Sequence, residues 1–209
     1  MLIDKAGWPF IGGAFVLAVI VGLWLGRAWS VPFLILTAFF LFFFRDPDRT
    51  TPNTANIVVS PADARIMAVG PYSGKGAPPG EWQWISMFLS PMDVHVNRTP
   101  VTGKVTRVEY HPGQFLPAFK PEAGELNEWT EVWFDAPGGP VVQRQIVGIL
   151  ARRIVCRLTG GEQVVAGQRY GVMKFGSRID MYLPLSATIL IKVGDKVVGG
   201  ETHIATLKP

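Results

Sequence analysis

The sequence predicts a mainly β protein, a compact β sandwich or barrel behind an N-terminal hydrophobic two-helix membrane hairpin. Three observations predict it. Residues 7–44 are almost wholly apolar, whereas the remainder of the 209-residue chain has ordinary soluble composition. From Asn56 onward, glycine and proline recur every roughly eight to twelve residues, with short β-branched and aromatic runs between them. No segment after the hairpin carries a sustained 3.6-residue apolar stripe.

The first helix is expected over Gly7–Gly26, an uncharged run of about 20 residues, about 30 Å as a helix. Arg27–Ser30 breaks it. Ser30 and Pro32 then suit the N-cap and first turn of a second helix, Val31–Phe44. Its roughly 14 apolar residues reach about 21 Å, short of a full span. An arginine at mid-bilayer costs at least about 2.5–3.5 kcal/mol. The hairpin therefore either crosses with tilt and thinning or lies as a wedge in one leaflet. Lys5 on one flank and Arg45 with Arg49 on the other put both ends on the cytoplasmic side of the cell membrane. A cleaved secretory signal fits less well, because no small-x-small site follows the first run and a second apolar run comes at once. The expected organisation is a hairpin over 1–45, a Pro-containing linker over 46–55 and a β-rich domain over 56–209.

Within that domain, strands are expected at Ile57–Val59, Trp82–Leu89, Gly103–Tyr110, Glu131–Phe134, Val141–Leu150, Arg153–Leu158, Ile179–Leu183, Thr188–Val193 and Lys196–Val198. His203 is expected in a terminal strand. Pro112–Trp129 reads as a loop whose Phe115, Leu116 and Phe119 close over a lipid chain or pack on the core.

A net charge of +4 suits anionic membrane lipid. Nucleic acid is set aside, since neither an aromatic RNA-binding motif nor a helix-turn-helix pattern is present. The single cysteine, Cys156, excludes an internal disulfide, provides no metal-site spacing, and reads as a buried structural thiol. Chemistry is expected from four motifs: Ser60-Pro61-Ala62-Asp63, Leu89–Arg98 with His95, Phe175-Gly176-Ser177-Arg178, and Gly194–Glu201. A serine after a glycine can attack the preceding carbonyl, because glycine has no Cβ to block approach and tolerates strained backbone. Attack requires a base and donors for the oxyanion. Of three histidines, His95 follows a strong strand in a Pro-bounded loop, while His111 and His203 read as structural. Asp63 equally suits a turn cap.

The runs FFFRDPDR, SPADARI, FLSPMDVHVNRTP, YGVMKFGSRIDMYLP and GDKVVGGETHIATL, in this order and at this spacing behind two apolar helices, resemble the short branch of the phosphatidylserine decarboxylase family. The resemblance covers essentially the whole chain. It implies a proenzyme in which Ser177 attacks the Gly176 carbonyl. β-Elimination of the resulting ester then leaves a β chain of 1–176 and an α chain of 177–209 that begins with a pyruvoyl group. That covalent group, with no metal, would form a Schiff base with the serine headgroup of phosphatidylserine and release carbon dioxide, giving phosphatidylethanolamine. Asp63 and His95 inherit roles in processing and catalysis, undivided between them. Arg98 or Arg178 is expected to hold the substrate's phosphate or carboxylate. The chain departs from the longer branch in having Arg98 in place of a second histidine and Gly-Ser-Arg in place of Gly-Ser-Thr. Archaetidylserine shares the headgroup and is the alternative substrate, and dimerisation of the processed pair is left open.

Two other classes compete. Gly194–Glu201 resembles the turn of lipoyl and biotinyl carrier domains, with Lys174 as the carrier lysine, but Lys174 lacks symmetrical flanks and immediately precedes Phe-Gly-Ser. A membrane-anchored β domain without activity would leave Ser177 intact.

Overall fold

The computed structural model describes residues 2–72, 76–149, 154–174 and 176–208, which form two compact units, Met1–Asp48 and Arg49–Pro209. The strand ends expected at Leu150 and Arg153, and Phe175 of the Phe-Gly-Ser motif, lie outside the described residues.

In the first unit, β1 (Leu2–Ile3) pairs antiparallel with β2 (Arg45–Asp46), closing the ends of a helical hairpin. Helix α1 (Trp8–Trp24) and helix α2 (Arg27–Phe43) have 17 residues each, about 26 Å. Ile11, Ala14 and Ala18 are the buried residues of α1, and their spacing makes one stripe of mostly small side chains. Gly22 continues it, its Cα facing the Ser30 side chain. The rest of α1 is apolar yet exposed, with Val16, Ile20, Leu23 and Trp24 all outward. A helix apolar all round with only one packed stripe is built for hydrocarbon surroundings. With the preceding 3-10 turn, Lys5–Trp24 is long and apolar enough to cross a membrane. The start of the second helix differs from expectation. Gly26, at φ 101°, precedes a helix that begins at Arg27, and Pro32 lies inside it. The Ser30 hydroxyl donates to the Arg27 carbonyl and caps nothing. Glycine turns the corner more sharply than the Ser-Pro pair, so the helix gains a turn.

The second unit is mainly β, as the sequence predicts. Its strands are β3 (Ile57–Val59), β4 (Ala64–Tyr72), β5 (Trp82–Leu89), β6 (Val96–Arg98), β7 (Gly103–His111), β8 (Trp129–Ala136), β9 (Gly139–Ile146), β10 (Ile154–Cys156), β11 (Gln163–Val164), β12 (Arg169–Met173), β13 (Ser177–Leu183), β14 (Thr188–Ile189), β15 (Lys196–Val197) and β16 (His203–Thr206). A single-turn helix, α3 (Ala123–Leu126), interrupts the loop before β8. Eight strands form one antiparallel sheet in the order β11-β7-β8-β9-β13-β5-β4-β15. Bulges in the β4–β5 and β7–β8 ladders bend it. Two three-stranded sheets, β10-β12-β6 and β14-β16-β3, complete the unit.

Period-2 alternation assigns the faces. Ile179, Met181 and Leu183 of β13 join Ile85, Met87, Leu89, Val132 and Phe134 in the main core. On that same inner face Gln145 donates to Asn97 of β6 (2.6 Å) and Gln143 to the Tyr170 hydroxyl of β12 (2.5 Å), tying the smaller sheet to the large one. The outer face carries Arg178, Asp180 and Tyr182 of β13 beside Trp84 and Ser86 of β5 and Arg144 of β9. β13 is a central strand, hydrogen-bonded to β9 on one side and β5 on the other, and every one of its residues is buried.

Candidate active site

Ser177 opens β13, paired with Leu89 at the end of β5. It is completely buried, and its hydroxyl finds no hydrogen-bond partner among the described residues. A buried, unpartnered hydroxyl is costly and calls for an explanation in function. Before it stands Gly176 at φ 69°, a backbone region that glycine enters without steric penalty. Among the described residues other than its chain neighbours, nothing lies within 4 Å of where a Gly176 side chain would begin. From the far side Gly148 comes so close that a Cβ on it would overlap the Gly176 carbonyl oxygen.

The loop after β5 leads from Leu89 to His95. Asp93 closes its turn, accepting from the Ser90 amide (2.8 Å). His95 is fully buried, and its carbonyl accepts from the Met173 amide at the end of β12 (3.2 Å). The two ends of this loop are thus joined to Met173 and Ser177. The imidazole Nδ1 lies 3.0 Å from the Asp93 carbonyl, which can only accept. That contact places the proton on Nδ1 and leaves Nε2 as the acceptor.

Asp63 belongs to a second cluster. One Arg49 nitrogen reaches both of its carboxylate oxygens (2.9 and 3.1 Å), and the Gly199 amide donates to it (2.8 Å). Gly199 and Gly200 lie against the Ala62–Asp63 backbone and the Arg98 side chain, where a Cβ would collide. Arg98 donates to the Gly167 carbonyl (3.0 Å). The Ser-Pro-Ala-Asp and Gly194–Glu201 motifs therefore meet each other, and Glu201 completes the contact by accepting from Arg49. β6 connects the clusters, with His95 just before it and Arg98 at its end.

Arg178 forks onto Asp180, Nε to Oδ1 and Nη2 to Oδ2, both 2.7 Å. The pair is almost wholly buried and lies on the outer face, beside a cavity of about 270 Å³. In that cavity burial, then the Asp180 charge, pushes the Tyr182 phenol well up, so it stays protonated. His111 stacks on Trp129 and His203 contacts the Thr206 hydroxyl, structural settings for both. Cys156 is only partly buried, less enclosed than expected, because β10 is the outermost strand of its sheet.

Sequence reasoning missed Arg49, Gly148 and Asp180 as parts of these clusters. Asp180 had a signal: Arg178 and Asp180 are two residues apart in an otherwise apolar strand, hence on one face. Gly148 had none.

Fold and site together define a class, a membrane-associated, β-rich proenzyme with an internal Gly-Ser bond. The family model described as phosphatidylserine decarboxylase matches residues 36–205. The chain is 43% identical to the phosphatidylserine decarboxylase proenzyme of Nitrosomonas europaea, covering 98% of this chain and 94% of the relative. It is 44% identical to the proenzyme of the same description from Ralstonia nicotianae and 42% to that from Ralstonia pickettii, each over 99% of this chain and 96% of the relative. The chain belongs to the phosphatidylserine decarboxylase family.

Proposed function

We propose that this chain is a proenzyme that cuts itself between Gly176 and Ser177 and then converts phosphatidylserine to phosphatidylethanolamine. The observation that supports the position of the cut is the Ser177 hydroxyl, enclosed and unpartnered directly behind a left-handed glycine. His95 Nε2 takes the hydroxyl proton, and the oxygen adds to the Gly176 carbonyl carbon. The amide C–N bond breaks, its nitrogen takes a proton, and an ester remains. Loss of the Ser177 α-proton then expels the Gly176 carboxylate, ending a β chain of 1–176. The dehydroalanine left at 177 takes up water and loses ammonia, so the α chain of 177–209 begins with a pyruvoyl group. Among the described residues, the room beside Gly176 and the lack of a competing partner for the Ser177 hydroxyl suit that outcome. The group supplies a ketone that takes up a primary amine and draws off the electrons released with carbon dioxide.

The chain's own residues do the rest. His95 holds the proton that the substrate's α-carbon receives after carbon dioxide leaves. Asp63 is fixed by Arg49 and the Gly199 amide, and the Pro61 carbonyl of the same motif accepts from the Arg98 amide at the end of β6. Of the two arginines expected at the substrate, we assign the contact to Arg178, because it lines the cavity. Residues 1–45 anchor the enzyme to the cell membrane and the linker over 46–55 carries the β-rich domain on the cytoplasmic face, as Lys5, Arg45 and Arg49 direct.

Intact mass under denaturing conditions tests this reading. Two chains are expected, the smaller starting at 177 with a blocked keto terminus, and Ser177→Ala is expected to remain one chain without activity. A wild-type chain that stays whole, or a cut in Ser177→Ala, overturns it.

A further inference from the structure

The outer-face cavity of about 270 Å³ contains more donors than its own residues use. Ser86 is 1% exposed, lines the cavity, and has a hydroxyl without a partner among the described residues. The Trp84 indole N–H beside it is likewise buried and unpartnered. An indole nitrogen can only donate, and no described residue supplies its acceptor oxygen. The Arg178–Asp180 ion pair there is balanced, with both Asp180 oxygens taken by its arginine. Glu125 adds a negative charge to the lining. This combination disfavours a free dianion and suits a singly charged diester carried on an organic body, which Phe119, Trp84 and Tyr182 can flank.

Distance supports the same ligand. Ser86 is cross-strand partner to Asp180, three residues along β13 from position 177. At strand rise that is about 10 Å from the backbone carbon of 177, which lies in the plane of the sheet and belongs to neither face. A serine headgroup held through its nitrogen at 177 carries its phosphate oxygens about 7 Å further on by ordinary bond lengths. A hydrogen bond adds about 3 Å.

We propose that this cavity is the headgroup subsite, in which Ser86 Oγ–H and Trp84 Nε1–H donate to the phosphodiester oxygens of a glycerophosphoserine. The inference rests on Ser177 being the reacting position, and its test separates the two. Ser86→Ala and Trp84→Phe remove one donor each and leave the Gly176–Ser177 region untouched. Both variants are expected to cut themselves completely by intact mass. Each is expected to raise KM for dispersed short-chain phosphatidylserine by about tenfold with kcat within about threefold, as lost uniform binding does. The second readout needs no turnover. Glycerophosphoserine at 10 mM is expected to raise the Tm of full-length Ser177→Ala protein, and that protection is expected to vanish when Ser86→Ala is added. Ser86→Ala deletes a hydroxyl that the fold leaves unsatisfied, so its ligand-free Tm is expected to equal or exceed that of the parent. A structural serine would lower it. Unchanged KM in both variants, or unchanged protection, overturns the subsite while leaving the cut intact. Equal protection by 10 mM inorganic phosphate overturns the headgroup assignment in favour of a general anion site. A wild-type chain that is never cut defeats the underlying reading instead.

Discussion

Gly148 and Gly176 meet backbone to backbone, and they answer to different constraints. At Gly176 the space is open but φ is 69°, so an alanine costs only strain, about 1–2 kcal/mol. At Gly148 a methyl would displace the Gly176 carbonyl, the proposed target of attack. Gly176→Ala is expected to slow self-cleavage by about tenfold. Gly148→Ala is expected to slow it by at least about a hundredfold, the usual penalty for about 1 Å of misplacement. The rate at which precursor disappears on a denaturing gel checks both, and wild-type cleavage in Gly148→Ala would remove that residue from the site. Ser177, His95 and Asp63 were singled out by the joint order of motifs that resembles the phosphatidylserine decarboxylase family, since each residue taken alone has a common structural reading. Gly148 was not, because a glycine needed for close approach looks like any other until its neighbour is known. Arg49 was legible only as a charge near the linker, since its partner Asp63 is 14 residues away across a turn.

Among the elements, β5, β7 and β9 were readable because β-branched or aromatic residues recur in them between glycine and proline breaks. β4 was missed: it is interrupted by a bulge and runs into Gly70-Pro71, which resemble a turn. β6 and β12 were missed because both are short and β12 contains Gly171, whose bare Cα lets the Val155 carbonyl approach. β13 itself was read from Ile179, two residues late. Its polar start, Ser177-Arg178, looks like a loop unless the outer face is known to hold a salt bridge. That salt bridge makes the strand vulnerable. Asp180→Asn leaves the Arg178 guanidinium buried without its counter-charge and is expected to cost about 3–5 kcal/mol in urea unfolding. Arg178→Met with Asp180→Leu, apolar on both sides, is expected to restore most of that stability, though not substrate binding. A single Asp180→Asn variant as stable as the parent would show that the pair contributes nothing to the fold.

For the whole molecule, the split between an apolar unit and a β-rich unit was visible in composition alone. Deleting residues 1–44 is expected to leave a protein that still cuts itself, because the β-rich unit holds its own core and keeps Arg49. Turnover of vesicle-borne phosphatidylserine is expected to fall by roughly tenfold or more as local concentration is lost, with dispersed short-chain substrate little affected. Equal turnover on vesicles would show that the hairpin is not needed to reach lipid. Stability is expected to fall at alkaline pH. Burial pushes the phenols of Tyr170 and Tyr182 and the Cys156 thiol above their ordinary values. The unfolded chain releases these protons first, from about pH 9 to 10, so above that range the folded state binds more protons and loses stability as pH rises. Urea midpoints at pH 7.5, 9 and 10.5 check this, and Tyr182→Phe is expected to flatten the decline. A flat or rising profile in the parent would contradict it.

β13 lies in the middle of a sheet and begins at Ser177, so the proposed cut falls inside the fold and not at its edge. The smaller chain keeps its ladders to β5 and β9, and losing it would open the main core. Assembly is therefore a one-molecule event before the cut and a two-molecule event afterwards. A mature enzyme that has been unfolded must bring two separate chains back together around a strand that was first threaded as part of one. The unbroken precursor thus acts as its own folding template, used once, and the finished enzyme persists by the slowness of its unfolding.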